Sequence, residues 1–152
     1  TTGFDAAEGF VASTTYNNTT EKLSGPTGFQ WATYYGTPST SGAISDGQSA
    51  QMRWYTSASN NIGYLVSKFT VTGATQVVFD SKSTRGLNVE VSYSTDGTNW
   101  LGAEVFALTT TATSYTYDVT ETGAIYIRIK IVLPATNPTD TANLYIDNVL
   151  IK

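Results

Sequence analysis

The chain has 152 residues, 40% hydrophobic and only 13% charged, with 10 Tyr, 6 Phe, 3 Trp and a net charge of −4. That length suits one domain, read here as spanning 1–152, and the scattered 8 Lys and Arg exclude a basic face for nucleic acid or an anionic membrane. With no Cys and no His, disulfides, thiol chemistry, most zinc and copper sites and the commonest general base are excluded too. No run of about 18 apolar residues is present to span a bilayer. The start at Thr1, without a signal-peptide pattern, is expected of a mature protein or an excised module.

In chain order, the first feature is FDAAEGF, Phe4 to Phe10, which sets Asp5 and Glu8 three residues apart. Asn17 to Gly28 reads as a loop. FQWATYY follows as a strand in which Phe29, Trp31 and Tyr35 share a parity and Tyr34 lies opposite. Thr37 to Gly47 reads as a second long loop. In AQMRWYT, Ala50, Met52 and Trp54 form an apolar face, and Gln51, Arg53 and Tyr55 a polar one. YLVSKFTV and QVVFDS are further strands. In LNVEVSYSTDGTNW, Val89, Val91 and Tyr93 alternate with Asn88, Glu90 and Ser92, and Asp96-Gly97 marks a hairpin turn. SYTYDV is another strand. AIYIRIKIV alternates Ile125, Ile127, Ile129 and Ile131 against Tyr126, Arg128 and Lys130. TNPTDTAN reads as a loop.

The closing NLYIDNVLIK is irregular: Leu144 and Ile146 take one parity, Val149, Ile151 and Asp147 the other. Either a bulge shifts the register near Asp147 or the strand is buried on both faces. About nine to eleven short strands with no helical periodicity predict a β-sandwich or barrel.

FDAAEGF, SDGQSAQMRWYTS, the hairpin SYSTDGTNW and LYIDNVLI, in this order and spacing, resemble the jelly-roll carbohydrate-binding modules and related galactose-binding-like domains of secreted bacterial polysaccharide-degrading enzymes. The resemblance runs from Phe4 to Ile151. It implies an all-β, single-domain sandwich of jelly-roll type whose first and last strands lie side by side, with a structural calcium near their junction. By position it assigns Asp5 or Glu8 and Asp147 as ligands, with carbonyl oxygens from the loop around Asp46 and Gly47. Calcium takes about six to eight hard oxygens, none of which need be His or Cys. The competing reading of these acids is surface charge and turn capping.

A sugar ring offers an apolar face and a rim of hydroxyls, so its site needs aromatic surface together with donors and acceptors. Gln51, Arg53 and Tyr55 form one suitable face, and Tyr126, Arg128 and Lys130 another; if the two strands are neighbours, they line one groove. An ordinary solvated sheet face is the alternative. Trp31, Tyr34 and Tyr35 are either core or exposed stacking platforms. Trp100 is read as core, while Tyr16 and Tyr64 border loops where a loop-end site is possible. A glycosidase requires two facing carboxylates, and the 12 acids are mostly isolated, with no closely spaced set such as the E-x-D-x-x-E of jelly-roll hydrolases.

The expectation is a non-enzymatic, monomeric, extracellular bacterial module that binds a polysaccharide through Trp31, Tyr35, Gln51, Arg53, Tyr55, Tyr126 and Arg128, covalently linked to a catalytic domain. The alternative is a structural or adhesion sandwich with no sugar site. The three basic side chains Arg53, Arg128 and Lys130 leave both acidic and neutral sugars open.

Overall fold

A computed structural model describes residues 2–45, 47–54, 62–132 and 141–152. Two antiparallel sheets face each other. One runs β1(Lys22–Ser24), β2(Trp31–Tyr34), β5(Tyr64–Ser67), β11(Ala124–Val132), β8(Asn88–Ser94), β9(Leu101–Ala107), with β6(Val71–Thr72) also paired to β11. The other runs β10(Thr113–Asp118), β7(Gln76–Ser83), β12(Ala142–Ile151), β4(Ser49–Trp54), β3(Gly36–Ser39). The helical content among the described residues is one 3-10 turn, Ala6–Glu8.

The core is the space between the sheets. Ile125, Ile127, Ile129 and Ile131 of β11 point into it, against Val77 and Phe79 of β7, Ala50 and Met52 of β4, and Leu144 and Ile146 of β12, all essentially inaccessible to water. Strict alternation produces this, because successive side chains of a strand leave on opposite faces. Each buried Ile contributes about 1.5–3 kcal/mol relative to an exposed one.

Two expected loops contain edge strands. Residues 22–24 form β1, and Gly36–Ser39 form β3, with Pro38 opposite Ala50. Proline is tolerated there because an edge strand has an unpaired side. A strand missing from the sequence reading, β9, is the other edge of the larger sheet and is exposed along nearly its whole length, so it carries no alternation to read.

Tyr35 sits where the chain leaves one sheet for the other. Its φ is 49°, its N–H donates to the Asn17 carbonyl at 2.7 Å, and its own carbonyl accepts the Arg53 N–H at 2.9 Å. The next residue must be small: a Cβ on Gly36 would lie 2.5 Å from the Gln51 carbonyl oxygen.

The irregular last strand has a bulge. Its register on β7 shifts between Asp147 and Leu150, and Asn148 has a φ of 48°. Both alternatives the parity change allowed are realised, since Leu144, Tyr145, Ile146 and Asp147 are all buried. Beyond the bulge, Val149 exchanges both backbone hydrogen bonds with Thr2, at 2.8 and 2.9 Å, so the beginning and end of the described chain lie side by side.

Candidate functional site

The outer face of the larger sheet carries a groove. Along β11, Tyr126, Arg128 and Lys130 point outward. Arg128 stands opposite Val66 on β5 and Ser92 on β8, and Lys130 opposite Tyr64 and Glu90. Ala32 of β2 continues the row beyond Val66. Ala32, Val66 and Ser92 face outward yet are buried, so larger neighbours rise around them. On one side Tyr34 and Tyr64 stack in parallel, with ring centres 5.1 Å apart and planes 9° from each other. On the other, Tyr126 and Trp100 line a depression of about 230 Å³ with Val66, Ser67, Lys68, Asp96 and Gly97. Lys130, beside the Tyr pair, and Tyr126 are four residues apart along β11, about 13 Å at roughly 3.3 Å each.

Arg128 occupies the middle. Its guanidinium lies 4.4 Å from the centre of the Trp100 ring, and its Nη2 is 4.0 Å from Glu90 Oε1. Burial pulls its pKa down, with Glu90 and Tyr64 opposing. Among the described residues its buried Nε–H has no hydrogen-bond partner, nor does the buried Ser92 hydroxyl across from it. Such donors are costly to leave unmatched. On the Tyr flank, Glu21 pairs with Lys68 and accepts the Tyr64 hydroxyl at 3.1 Å, while the Tyr34 hydroxyl donates to the Asn18 carbonyl. Burial, then Glu21, pushes Tyr64 up to about 12.

The turn that presents Trp100 is locked by Asp96. Its carboxylate accepts the backbone N–H groups of Asn99 and Thr98, each at 2.8 Å, and the Asn99 side chain at 2.7 Å. The Asn99 and Thr98 N–H groups, in that order, hold its pKa well below the usual carboxylate range. The stabilisation is present above the unfolded value of about 3.9 and is lost only as pH falls through the depressed folded one. NMR titration of the side-chain carboxyls should therefore find Asp96 still ionised where ordinary aspartates are half protonated; Asp96 titrating alongside them would refute the lock.

Of the residues singled out in the sequence, Tyr126 and Arg128 are in this groove. Gln51 and Arg53 are not: β4 belongs to the smaller sheet, so the two polar faces point away from each other on opposite sides of the sandwich. Gln51 is 2% exposed. Arg53 stacks at 3.8 Å on Tyr16 and donates to Asn143 Oδ1 at 3.3 Å. The segment at Gly42 presses on Tyr145, Gln51's neighbour across the sheet. Trp31 is core rather than a platform: it is 2% exposed, edge-on to Phe4 and Phe69. Tyr35 is half-buried at the sheet crossing. Tyr55 lies outside the described residues. Trp100, read as core, proves to be half-buried in the groove.

A larger cavity of about 380 Å³ opens at the sandwich edge, lined mainly by Phe10, Phe29, Trp31, Phe69, Val71 and Val149. Thr2 and Glu8 are its polar lining residues, so it is poorer in hydrogen-bonding groups than the groove, which matches a hydroxyl-rich ligand better.

The acids of FDAAEGF and Asp147 do meet. A Cβ placed on Gly3 would lie 3.0 Å from Asp5 Oδ2, 3.2 Å from Glu8 Oε2 and 3.5 Å from Asp147 Oδ1. Glu8 Oε2 also accepts the Gly3 N–H at 2.7 Å. Asp147, 0% exposed, accepts from Ser45 N–H at 2.8 Å, Ser45 Oγ at 2.9 Å and Ser49 Oγ at 3.2 Å. Burial pushes its pKa up, against these bonds. The three oxygens suit a hard cation chemically. Among the described residues no three acidic side chains are in ligating geometry. Asp46 lies outside the described residues.

No family model and no curated protein matches the chain. Solved structures do. A family 61 carbohydrate-binding module in complex with β-1,4-galactotriose is 14% identical, over 100% of this chain and 99% of that one, with a TM-score of 0.57. A family 4 module is 16% identical, over 84% and 96%, with a TM-score of 0.56. The K2 cleaved adhesin domain of Lys-gingipain is 17% identical, over 80% and 82%, with a TM-score of 0.58. The chain thus has the jelly-roll sandwich fold of carbohydrate-binding modules, as its sequence motifs implied.

Proposed function

We propose that the protein is a non-catalytic carbohydrate-binding module that holds a polysaccharide chain in the groove of the larger sheet, and so attaches a linked enzyme or a cell surface to that polysaccharide outside the cell. The observation that carries this reading is the pairing of Tyr34/Tyr64 with Trp100/Tyr126 on either side of Arg128. Sugar rings stack on such rings, and their hydroxyls take up donors such as the partly exposed Arg128 guanidinium. Asp96, held ionised by its turn, is unsuited to donate a proton to a glycosidic oxygen. The likeness to an adhesin domain fits the rival reading of an adhesion module without a sugar site. Four half-buried aromatics clustered on one face favour sugar.

Affinity electrophoresis against soluble glucans, xylans, mannans, galactans, pectins and alginate tests the proposal. Retardation by at least one class, lost in Arg128→Ala, is the expected result. No retardation of the folded protein in any gel would overturn it and leave the adhesion reading standing.

We further propose that Asp5, Glu8 and Asp147 help hold a structural calcium, completed by carbonyl oxygens. Bound calcium would supply the positive charge that the buried Asp147 carboxylate calls for. Calcium at a hundredfold over its Kd should add about 2.7 kcal/mol to stability, so chelation should lower the Tm by several degrees. An identical Tm with calcium and with EDTA would sink the assignment.

A further inference from the structure

The groove balances its charges one for one. Among the described residues, its cations are Lys68, Arg128 and Lys130, and its carboxylates Glu21, Glu90 and Asp96, so +3 and −3 sum to zero. Lys68 is paired with Glu21. Glu90 lies beside Arg128 and directly across the sheet from Lys130. Asp96 lines the depression next to Trp100 and Tyr126.

Resting on the binding reading above, we infer that the groove selects an uncharged glycan chain and that Glu90 is the residue that turns uronates away. A hydroxyl both donates and accepts, so a neutral sugar satisfies Arg128 and Glu90 together: one hydroxyl accepts from the partly exposed Arg128 guanidinium, another donates to the carboxylate. A uronate carboxylate only accepts. To reach Arg128 it must displace Glu90, which is 27% exposed and would be left beside a second negative charge. Asp96 adds a third in the adjoining depression beside Trp100 and Tyr126. The net charge of −4 on the chain offers no compensating attraction at longer range. A site built for uronates would show the reverse, a surplus of Arg free to grip a carboxylate through two nitrogens.

The test is affinity electrophoresis, followed by titration calorimetry, of the parent and Glu90→Gln against a neutral set (β-glucan, mannan, xylan, galactan) and an acidic set (polygalacturonate, alginate), at low and high salt. Gln keeps the shape and the hydrogen-bonding oxygen while removing the charge. The parent should bind from the neutral set with little salt dependence and leave the acidic set unbound. Glu90→Gln, folded to the same melting point, should gain roughly tenfold for polygalacturonate relative to its neutral ligand at low salt, a gain that salt erases. Parent binding to a polyuronate that weakens with salt would overturn the inference and leave the binding reading intact. A Glu90→Gln variant with no gain would overturn the role given to Glu90. Binding to neither set would overturn the binding reading, and this inference with it.

Discussion

Trp100→Ala should weaken polysaccharide binding by roughly 2 kcal/mol or more, about thirtyfold in Kd, the cost expected when a central aromatic anchor is removed. Two losses coincide: the platform for a sugar ring, and the surface on which the Arg128 guanidinium rests 4.4 Å away. A released Arg128 would sample many rotamers, and a ligand would have to order it again. Trp100→Phe, which keeps a smaller platform, should fall in between. Arg128→Lys should resemble the Ala variant, since Lys keeps the charge but lacks the planar group that stacks. Trp100 is half-buried at the end of a hairpin, so the melting point should hardly move. Titration calorimetry on folded variants decides: unchanged affinity in Trp100→Ala would remove the groove from consideration, whatever the protein binds.

Ile129→Ala should be among the most damaging single changes to the fold. Ile129 is 0% exposed at the centre of β11, opposite Leu65 on β5 and Val91 on β8, both also 0% exposed. Truncating a buried Ile costs about 2–5 kcal/mol, because the neighbours close only partly around the cavity. At about 2–4 °C per kcal/mol for a chain of this size, the Tm should drop by roughly 5–20 °C. Val105→Ala on the edge strand β9, where the side chain is 52% exposed, should stay within about 0.5 kcal/mol. Calorimetry or urea unfolding of the pair checks both numbers at once, and equal stabilities would mean that the inter-sheet layer is not the principal source of stability.

The fold was largely legible because its central strands are buried on one face and open on the other. AIYIRIKIV declares its core side residue by residue, and the change of parity at Asp147 marked a real bulge. The edges were opaque for the opposite reason. β9 is exposed on both faces, and Pro38 makes β3 look like a loop, so neither leaves a periodic trace. The site was half legible. Alternation separates outward from inward side chains, and Tyr126 and Arg128 do point outward, but it does not say which sheet a strand joins. Arg53 has the same local pattern as Arg128 and lies on the far side of the molecule. Strand neighbours here are set by pairing across long stretches of chain, as in β4 beside β12. Trp31 and Trp100 exchanged roles on the same grounds: an aromatic inside a strand and one just beyond a turn look alike until the turn geometry fixed by Asp96 is known. The meeting of Asp5, Glu8 and Asp147 followed from the family likeness, not from anything local to either end.

The position of β12 also has a consequence in time. It lies between β7 and β4, hydrogen-bonded to both, so the middle of the smaller sheet is made of residues synthesised after every other strand of that sheet. Until Ala142–Ile151 has left the ribosome, β10–β7 and β4–β3 are two unconnected ribbons with their inner edges open. Closure then requires contacts between residues as distant in sequence as Thr2 and Val149. Loop-closure entropy of that kind slows folding and leaves unpaired strand edges exposed meanwhile. The protein should therefore fold late and in one step, and a nascent chain stalled before β12 should be a substrate for chaperones rather than a partly working module.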